Sequence, residues 1–121
     1  MLIDANAIIR IIINDNKEMA KQATEFISNN QVLARNEVLA EVVYVLQKVY
    51  AVDRTKICEI LLGLVGNDII KTENLDVTKF ALETFGKRRL DFVDCLLYAH
   101  HSINGNEVFT LDKALKSLVA T

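Results

Sequence analysis

Four acidic side chains occupy similar places along the chain, either where a short apolar run meets a helix or on a helix beside such a run. They are Asp4, Glu41, Asp94 and Asp112. A single carboxylate at such a place usually caps the amides of a helix N-terminus. Several carboxylates gathered at one edge of a sheet repel one another, and a divalent cation removes that repulsion. Taken together, these residues predict a cation site.

The kind of cation follows from the donor atoms. Two carboxylates about 5 Å apart repel by roughly 3 kcal/mol at an effective dielectric near 20, so a cluster without a cation is strained or partly protonated. Oxygen ligands suit Mg²⁺ or Mn²⁺, and the sequence offers no cysteine–histidine set for zinc. Such ions activate water and stabilise the charge that develops on a phosphodiester during in-line attack.

Helix capping stays open as the simpler interpretation of three aspartates, namely Asp4, Asp91 and Asp112. Glu41 differs because it lies inside a predicted helix, at the border of its apolar face. It stands four residues after Glu37, a like-charge pair that destabilises a helix by a few tenths of a kcal/mol. A solvated surface glutamate is the alternative interpretation of Glu41.

The elements that position these side chains are indicated by the spacing of apolar residues. Short strands are predicted at 2–3, 31–34, 69–71 and 107–110. Helices are predicted at 5–13, 17–29, 36–50, 55–66, 75–85, 91–104 and 113–119. Strands alternate with helices and no tight hairpin turn appears, so the predicted fold is α/β, with a short central parallel sheet flanked by helices on both faces. In such a sheet, strand ends and the following helix N-termini share one edge, where we expect the aspartates to meet.

Length and composition predict one domain over residues 1–121, with 51% apolar and 25% charged residues, enough to bury a core. Cys58 and Cys95 are far apart and are expected to be reduced, buried side chains of a cytoplasmic protein. No signal peptide or membrane-spanning run is recognised, so no membrane partner is expected. The net charge of −2 argues against a generally basic nucleic-acid binder but leaves a local basic patch open.

The whole chain resembles the PIN-domain proteins, and most closely the small VapC-like toxins of prokaryotic toxin–antitoxin pairs. Residues 1–6 (MLIDAN) are similar to the family's strand that ends in Asp-Thr-Asn or Asp-Ser-Asn. Residues 36–46 resemble the second motif, with Glu41 as its acidic ligand, residues 90–97 the third and residues 109–113 the fourth. Ala5 departs from the pattern, because a hydroxyl residue commonly follows the first aspartate. We expect this change to affect the rate rather than the type of reaction.

The resemblance implies a Mg²⁺- or Mn²⁺-dependent endoribonuclease that is the toxin of a type II toxin–antitoxin pair. The implied catalytic and metal-binding set is Asp4, Glu41, Asp94 and Asp112, with Asp91 as a further metal ligand or a cap. Asn6 and Thr110 are expected to orient these carboxylates without binding the metal themselves. RNA, a cognate antitoxin and a second copy of the chain are the implied partners. Candidate contacts to RNA phosphates are Arg10, Arg88, Arg89 and Lys113, although a solvated basic loop explains 87–89 equally well.

Other functions stay open. A PIN-type nuclease in RNA processing would carry the same motifs. A non-catalytic PIN-like binding module is expected to lack an acidic ligand, and none is missing here. A dehalogenase-like phosphatase would need a second aspartate two residues after its nucleophile, where this chain has Asn6. The stripe at 38–50, including Tyr44, is interpreted as core, with self-association or an antitoxin groove as alternatives.

Overall fold

The computed structural model describes residues 1–14 and 16–120. Its small sheet pairs β1 (Leu33–Ala34) in parallel with β2 (Lys71–Thr72). The segment 1–3 runs beside β1 through a parallel bridge between Leu2 and Leu33. There the Ile3 N–H donates to the Leu33 carbonyl at 3.0 Å, and the Leu33 N–H donates to the Met1 carbonyl at 2.8 Å. The order across the sheet is therefore 1–3, β1, β2, with every strand parallel.

Helices make up most of the part of the chain that the structure describes. They are α1 (Ala5–Ile13), α2 (Lys17–Asn29), α3 (Asn36–Lys48), α4 (Arg54–Gly66), α5 (Leu75–Lys87), α6 (Phe92–Asn104) and α7 (Lys113–Val119). Most begin at a polar side chain that accepts a hydrogen bond from the first turn, namely Asp4, Asn16, Asp53, Asn74 or Asp112. Such a cap stabilises a helix by about 1 kcal/mol, which explains why the polar residues mark these boundaries so well. No helix described is long and apolar enough to cross a membrane.

The alternation of strands and helices is consistent with the predicted α/β class, but the sheet is smaller than predicted. The strand predicted at 107–110 is wrong, since residues 105–112 have no regular secondary structure. The backbone there is bonded to the end of α6 instead, where the Asn106 N–H donates to the His100 carbonyl at 3.4 Å. Phe109 and Leu111 are consequently 91% and 84% exposed. Coverage of both sheet faces by helices stays a prediction.

Two helices end at other residues than predicted. The α3 helix ends at Lys48 rather than at residue 50, and α5 continues to Lys87 rather than ending at residue 85. At the start of α3, Arg35 occupies the N-cap position and makes no side-chain capping bond. Asn36 is the first helical residue, and its N–H donates to Glu73 Oε1 at 2.7 Å.

The core lies mainly between helices, where α5 packs against both α4 and α6. Its largest fully buried side chains include Ile8, Leu39, Leu46, Leu61, Leu82 and Phe85. Each buried side chain of this size contributes roughly 1.5–3 kcal/mol. Cys95 is buried as predicted, and burial raises the pKa of its thiol to about 12. Cys58 is only half-buried, and Tyr44 is 62% exposed rather than part of the core.

Gly86 lies where α5 packs tightly against α4. A β-carbon at this position would lie 3.0 Å from the Cys58 β-carbon and 3.2 Å from the Cys58 sulfur. The Cys58 β-carbon is fixed to the helix backbone, so it yields only if α4 itself moves. A larger residue at position 86 would therefore require the two helices to shift apart by a few tenths of an ångström.

Gly86→Ala is expected to lower the free energy of unfolding by up to about 2 kcal/mol. Overpacking typically costs about 1–3 kcal/mol, which outweighs the gain of about 1 kcal/mol from replacing a helical glycine by alanine. Urea unfolding measures the change. The matched control is Gly63→Ala in α4, where no atom lies within 4 Å of the new β-carbon. This control should gain about 0.5–1 kcal/mol. A stabilised Gly86→Ala variant would contradict the proposed close packing.

Candidate active site

The N-terminus of α6 presents two carboxylates. Asp91 occupies the N-cap position with extended backbone angles, yet its side chain makes no capping hydrogen bond. The capping interpretation of Asp91 is therefore not supported, and its exposed carboxylate keeps its acceptor capacity. Asp94 follows in the first turn and is half-buried. Both are fixed by Phe92, which is buried and packs edge-on against Phe85 with ring centroids 6.1 Å apart.

Asp94 is the electrostatically strained carboxylate of this site. Its pKa is raised above the usual range chiefly because burial disfavours the charged form. The negative charges of Asp112 and Asp91 raise the pKa of Asp94 further. The charges of Asp91 and Asp112 therefore both act on Asp94.

Asp112 reaches this region because α7 packs against α6. One of its carboxylate oxygens, Oδ2, accepts a hydrogen bond from the Leu115 N–H at 2.8 Å, and Leu115 is fully buried. Asp112 is thus a helix cap, and its second oxygen remains for another interaction. The backbone N–H of Asp112 donates to Thr110 Oγ1 at 3.1 Å, so the Thr110 hydroxyl helps to fix the backbone of Asp112.

Asp4 lies at the end of the 1–3 strand, where its Oδ1 accepts a hydrogen bond from the Ala7 N–H at 2.9 Å. It is also a helix cap and is exposed. Asp4, Asn6 and Arg10 line one groove of about 530 Å³, whose remaining lining is mostly apolar side chains from the N-terminal residues, α2 and Val32. Asn6 and Asp4 therefore line the same groove.

Glu41 lies on the exposed side of α3. A cleft of about 440 Å³ runs beside it, between α3 and the start of α6, and it contains Asp91 and Asp94. The α3 wall of this cleft consists of Ala40, Val43, Tyr44, Gln47 and Lys48. Glu41 is not a wall residue, but it precedes Tyr44 by almost one helical turn. The sequence pattern alone gave no signal for Tyr44 and Gln47 as site residues.

A metal ion is the natural partner of these oxygen donors, because clustered carboxylates are the ligands that Mg²⁺ and Mn²⁺ take. The donor types fit such a cation, and its charge would offset the repulsion that raises the pKa of Asp94. Among residues 1–14 and 16–120, however, no group of three or more aspartate, glutamate, histidine or cysteine side chains is placed to hold one. Neither Asp4 nor Glu41 contributes to the raised pKa of Asp94. Of the acidic residues predicted from the sequence, Asp91 and Asp112 therefore act on Asp94, whereas Asp4 and Glu41 do not.

The predicted phosphate contacts fall in three different places. Arg10 lines the groove beside Asp4, and Lys113 is the exposed first residue of α7, next to Asp112. Arg88 and Arg89 line a separate groove of about 910 Å³, formed with the start of α4. The His101 side chain, in the last turn of α6, contacts the following loop, since its Nδ1 lies 2.9 Å from the Asn106 carbonyl oxygen.

Comparison with known proteins identifies the class to which this fold and site belong. The family model of the PIN domain matches residues 1–120. The chain therefore belongs to the PIN domain family, whose members are generally nucleases and typically use divalent metal ions. No curated protein and no solved structure matches the chain significantly.

Asp94→Asn is expected to raise the melting temperature of the metal-free protein at pH 7. The pKa of Asp94 is raised on folding, so its contribution to stability is present below the ordinary aspartate range, near pH 3.9, and is lost as the pH rises through the folded value. The ionised side chain therefore costs stability at neutral pH. For a partly exposed charge the gain should be roughly 0.3–0.5 kcal/mol, or about 1–3 °C.

The gain should disappear at pH 3, where wild-type Asp94 is protonated. Asp76→Asn is the matched control, because Asp76 is an exposed aspartate in the first turn of α5. It should show no gain, since its charge is favourable near a helix N-terminus. Thermal unfolding at both pH values measures the difference. Equal shifts of the melting temperature in the two variants would contradict the claim that the ionised Asp94 side chain destabilises the fold.

Proposed function

We propose that this protein is a divalent-metal-dependent endoribonuclease, and that its active site is the cleft between α3 and the start of α6. The observation that carries the proposal is the position of Asp94. It is half-buried in the cleft wall, and its charge is opposed by burial and by two neighbouring carboxylates. A carboxylate with a raised pKa in a cleft is a functional-site candidate on physical grounds. In a family of nucleases, this is where a catalytic cation would be most favourable.

The residues of this chain have separate tasks in the proposed reaction. Asp94, Asp91 and Asp112 would hold the cation, with Asp4 and Glu41 as further members of the acidic set. When bound, Mg²⁺ or Mn²⁺ supplies water activation and charge stabilisation at the phosphodiester. Thr110 fixes the backbone of Asp112, and Asn6 orients the carboxylate of Asp4.

We further propose that the protein acts as the toxin of a type II toxin–antitoxin pair in the cytoplasm. The support is the likeness of its motifs to VapC-like toxins, together with exposed apolar side chains beside Asp4. Met1, Leu2 and Phe26 are 71%, 62% and 45% exposed around that groove. An antitoxin segment that covers the acidic site, and a two-fold dimer of the chain, would bury such surface. Sedimentation velocity tests the dimer. A processing nuclease is the alternative, and it would share the chemistry without the partner.

The purified protein should cleave RNA only when Mg²⁺ or Mn²⁺ is present, and Asp94→Asn should reduce cleavage by at least about a hundredfold. The substitution is nearly isosteric and removes one negative oxygen ligand, so the fold should be retained. Gel analysis of a labelled RNA pool measures cleavage. Asp76→Asn, with its equal loss of charge, should cleave like the wild type.

Metal binding provides an independent measurement in the same variants. Mg²⁺ or Mn²⁺ should raise the melting temperature of the wild type and of Asp76→Asn, because the ion binds only the folded state. The shift should be much smaller in Asp94→Asn. A well-folded Asp94→Asn variant that cleaves RNA at the wild-type rate would contradict the proposed active site.

The toxin assignment predicts growth arrest when the protein is expressed alone in bacteria. Arrest should be lost in Asp94→Asn and retained in Asp76→Asn, because only the first lacks the proposed catalytic carboxylate. Growth curves with matched expression levels measure the effect. Normal growth during expression of a variant that cleaves RNA in vitro would favour the processing nuclease over the toxin.

A further inference from the structure

A groove of about 910 Å³ lies between the start of α4 and the segment that joins α5 to α6. Its charged lining residues are Asp53, Arg54, Lys56, Glu59, Lys87, Arg88 and Arg89. Five of these side chains are basic and two are acidic, so the groove has an excess of three positive charges. The whole chain has a net charge of −2, so this excess is a local concentration of charge.

The two acidic residues of the groove already have partners. Asp53 caps α4, where its Oδ1 accepts a hydrogen bond from the Lys56 N–H at 2.9 Å. Glu59 lies 3.7 Å from Lys56 Nζ in an exposed ion pair. By contrast, Lys87, Arg88 and Arg89 are exposed, and no ion pair within the described residues involves them. Their charges therefore face the solvent of the groove.

Arg54 holds the segment that presents these charges. Its Nη1 lies 2.7 Å from the Leu90 carbonyl oxygen, 2.9 Å from that of Arg88 and 3.2 Å from that of Phe85. Its guanidinium carbon lies 4.1 Å from the centroid of the Phe85 ring. These contacts fix the backbone of residues 85–90, so the basic side chains project from a preorganised support rather than from a flexible loop. Preorganisation lowers the cost of ordering the site when a ligand binds.

The basic groove adjoins the acidic cleft. Gln47 lines both of them. Leu90, whose carbonyl Arg54 binds, directly precedes Asp91. At the cleft, the exposed ring of Tyr44 offers a flat apolar face. A strand of alternating phosphates and bases matches this sequence of features, with phosphates on the cations and a base on the aromatic ring.

We propose that the groove binds the phosphate backbone of single-stranded RNA on one side of the cleavage site, and that Tyr44 stacks on an unpaired base next to that site. The inference rests on the proposed function for the identity of the cleft, but the groove itself is defined independently of it. A duplex is disfavoured because its bases are already stacked and paired, so Tyr44 could not reach their faces. The groove and Tyr44 would thereby make the active site select single-stranded regions of RNA.

The test measures binding separately from cleavage. All variants carry Asp94→Asn and are measured with a chelator, so no RNA is cut. The ligand is a fluorescein-labelled single-stranded RNA of about 12 nucleotides, a length within the usual range of single-strand sites. The groove variant is Arg88→Gln/Arg89→Gln. The control is Lys17→Gln/Lys21→Gln on α2, which removes the same charge outside the groove. The Arg54 contacts reach only the backbone of Arg88, so the loop should keep its conformation.

The groove variant should bind this RNA about tenfold more weakly at low salt, with a salt slope lower by about 1.4, since each phosphate contact to a single strand contributes about 0.7. The control should bind like the parent. Tyr44→Ala should weaken binding by about fivefold or more, and Tyr44→Phe should keep it, because stacking needs only the ring. A duplex of the same sequence should bind more weakly than the single strand.

Three results with RNA would overturn the proposal. These are equal affinity in the groove variant and the parent, an equal loss in the groove variant and the control, or equal affinity for duplex and single strand. Binding of a polyglutamate peptide that depends on Arg88 and Arg89, without a matching effect on RNA, would likewise overturn it in favour of an acidic protein partner. Failure of the wild type to cleave any RNA would refute the proposed function. Fluorescence anisotropy of the labelled RNA would still show whether the groove binds it.

Discussion

The arrangement of the site depends on one guanidinium group. Arg54, at the start of α4, joins the end of α5 and the residues just before α6 through carbonyl bonds and a contact with the Phe85 ring. Hydrogen bonds from a charged donor contribute about 1.5–3 kcal/mol, more than neutral ones. Lysine could not replace this residue, because a compact ammonium lacks the planar face that lies over the ring. The direction in which α6 begins, and with it the position of Asp91 and Asp94, follows from this contact.

Two opposite electrostatic surfaces meet at this point. On one side of Leu90 lie basic side chains on a fixed backbone, and on the other lie carboxylates, among them Asp94, whose pKa is raised by burial and by its acidic neighbours. A polyanion is attracted by the first surface and repelled by the second unless a cation is present. Under the proposed function, the same geometry would make substrate positioning and metal binding interdependent. It also explains how a chain with net charge −2 can belong to a family of nucleases.

Much of the architecture was predictable because it is encoded locally. Asp4 and Asp112 cap the helices that their positions indicated, and the spacing of apolar residues located the helices to within about two residues at each end. The strand predicted at 107–110 failed because β-structure needs a partner, which no local pattern specifies. The basic groove was only half predicted. Arg88 and Arg89 form a visible run, but Arg54 lies more than thirty residues earlier and joins them only through the packing of α4 on α5.

The small sheet has a consequence for what holds Asp4 in place. Each strand contains only two or three residues, so the hydrogen bonds that hold the 1–3 segment are few, and each contributes roughly 1 kcal/mol. The neighbours of Asp4 are instead buried, since Ile3, Ala5 and Ile8 belong to the same hydrophobic core as the buried residues of α4, α5 and α6. Core packing, more than strand pairing, therefore holds Asp4 relative to the rest of the molecule.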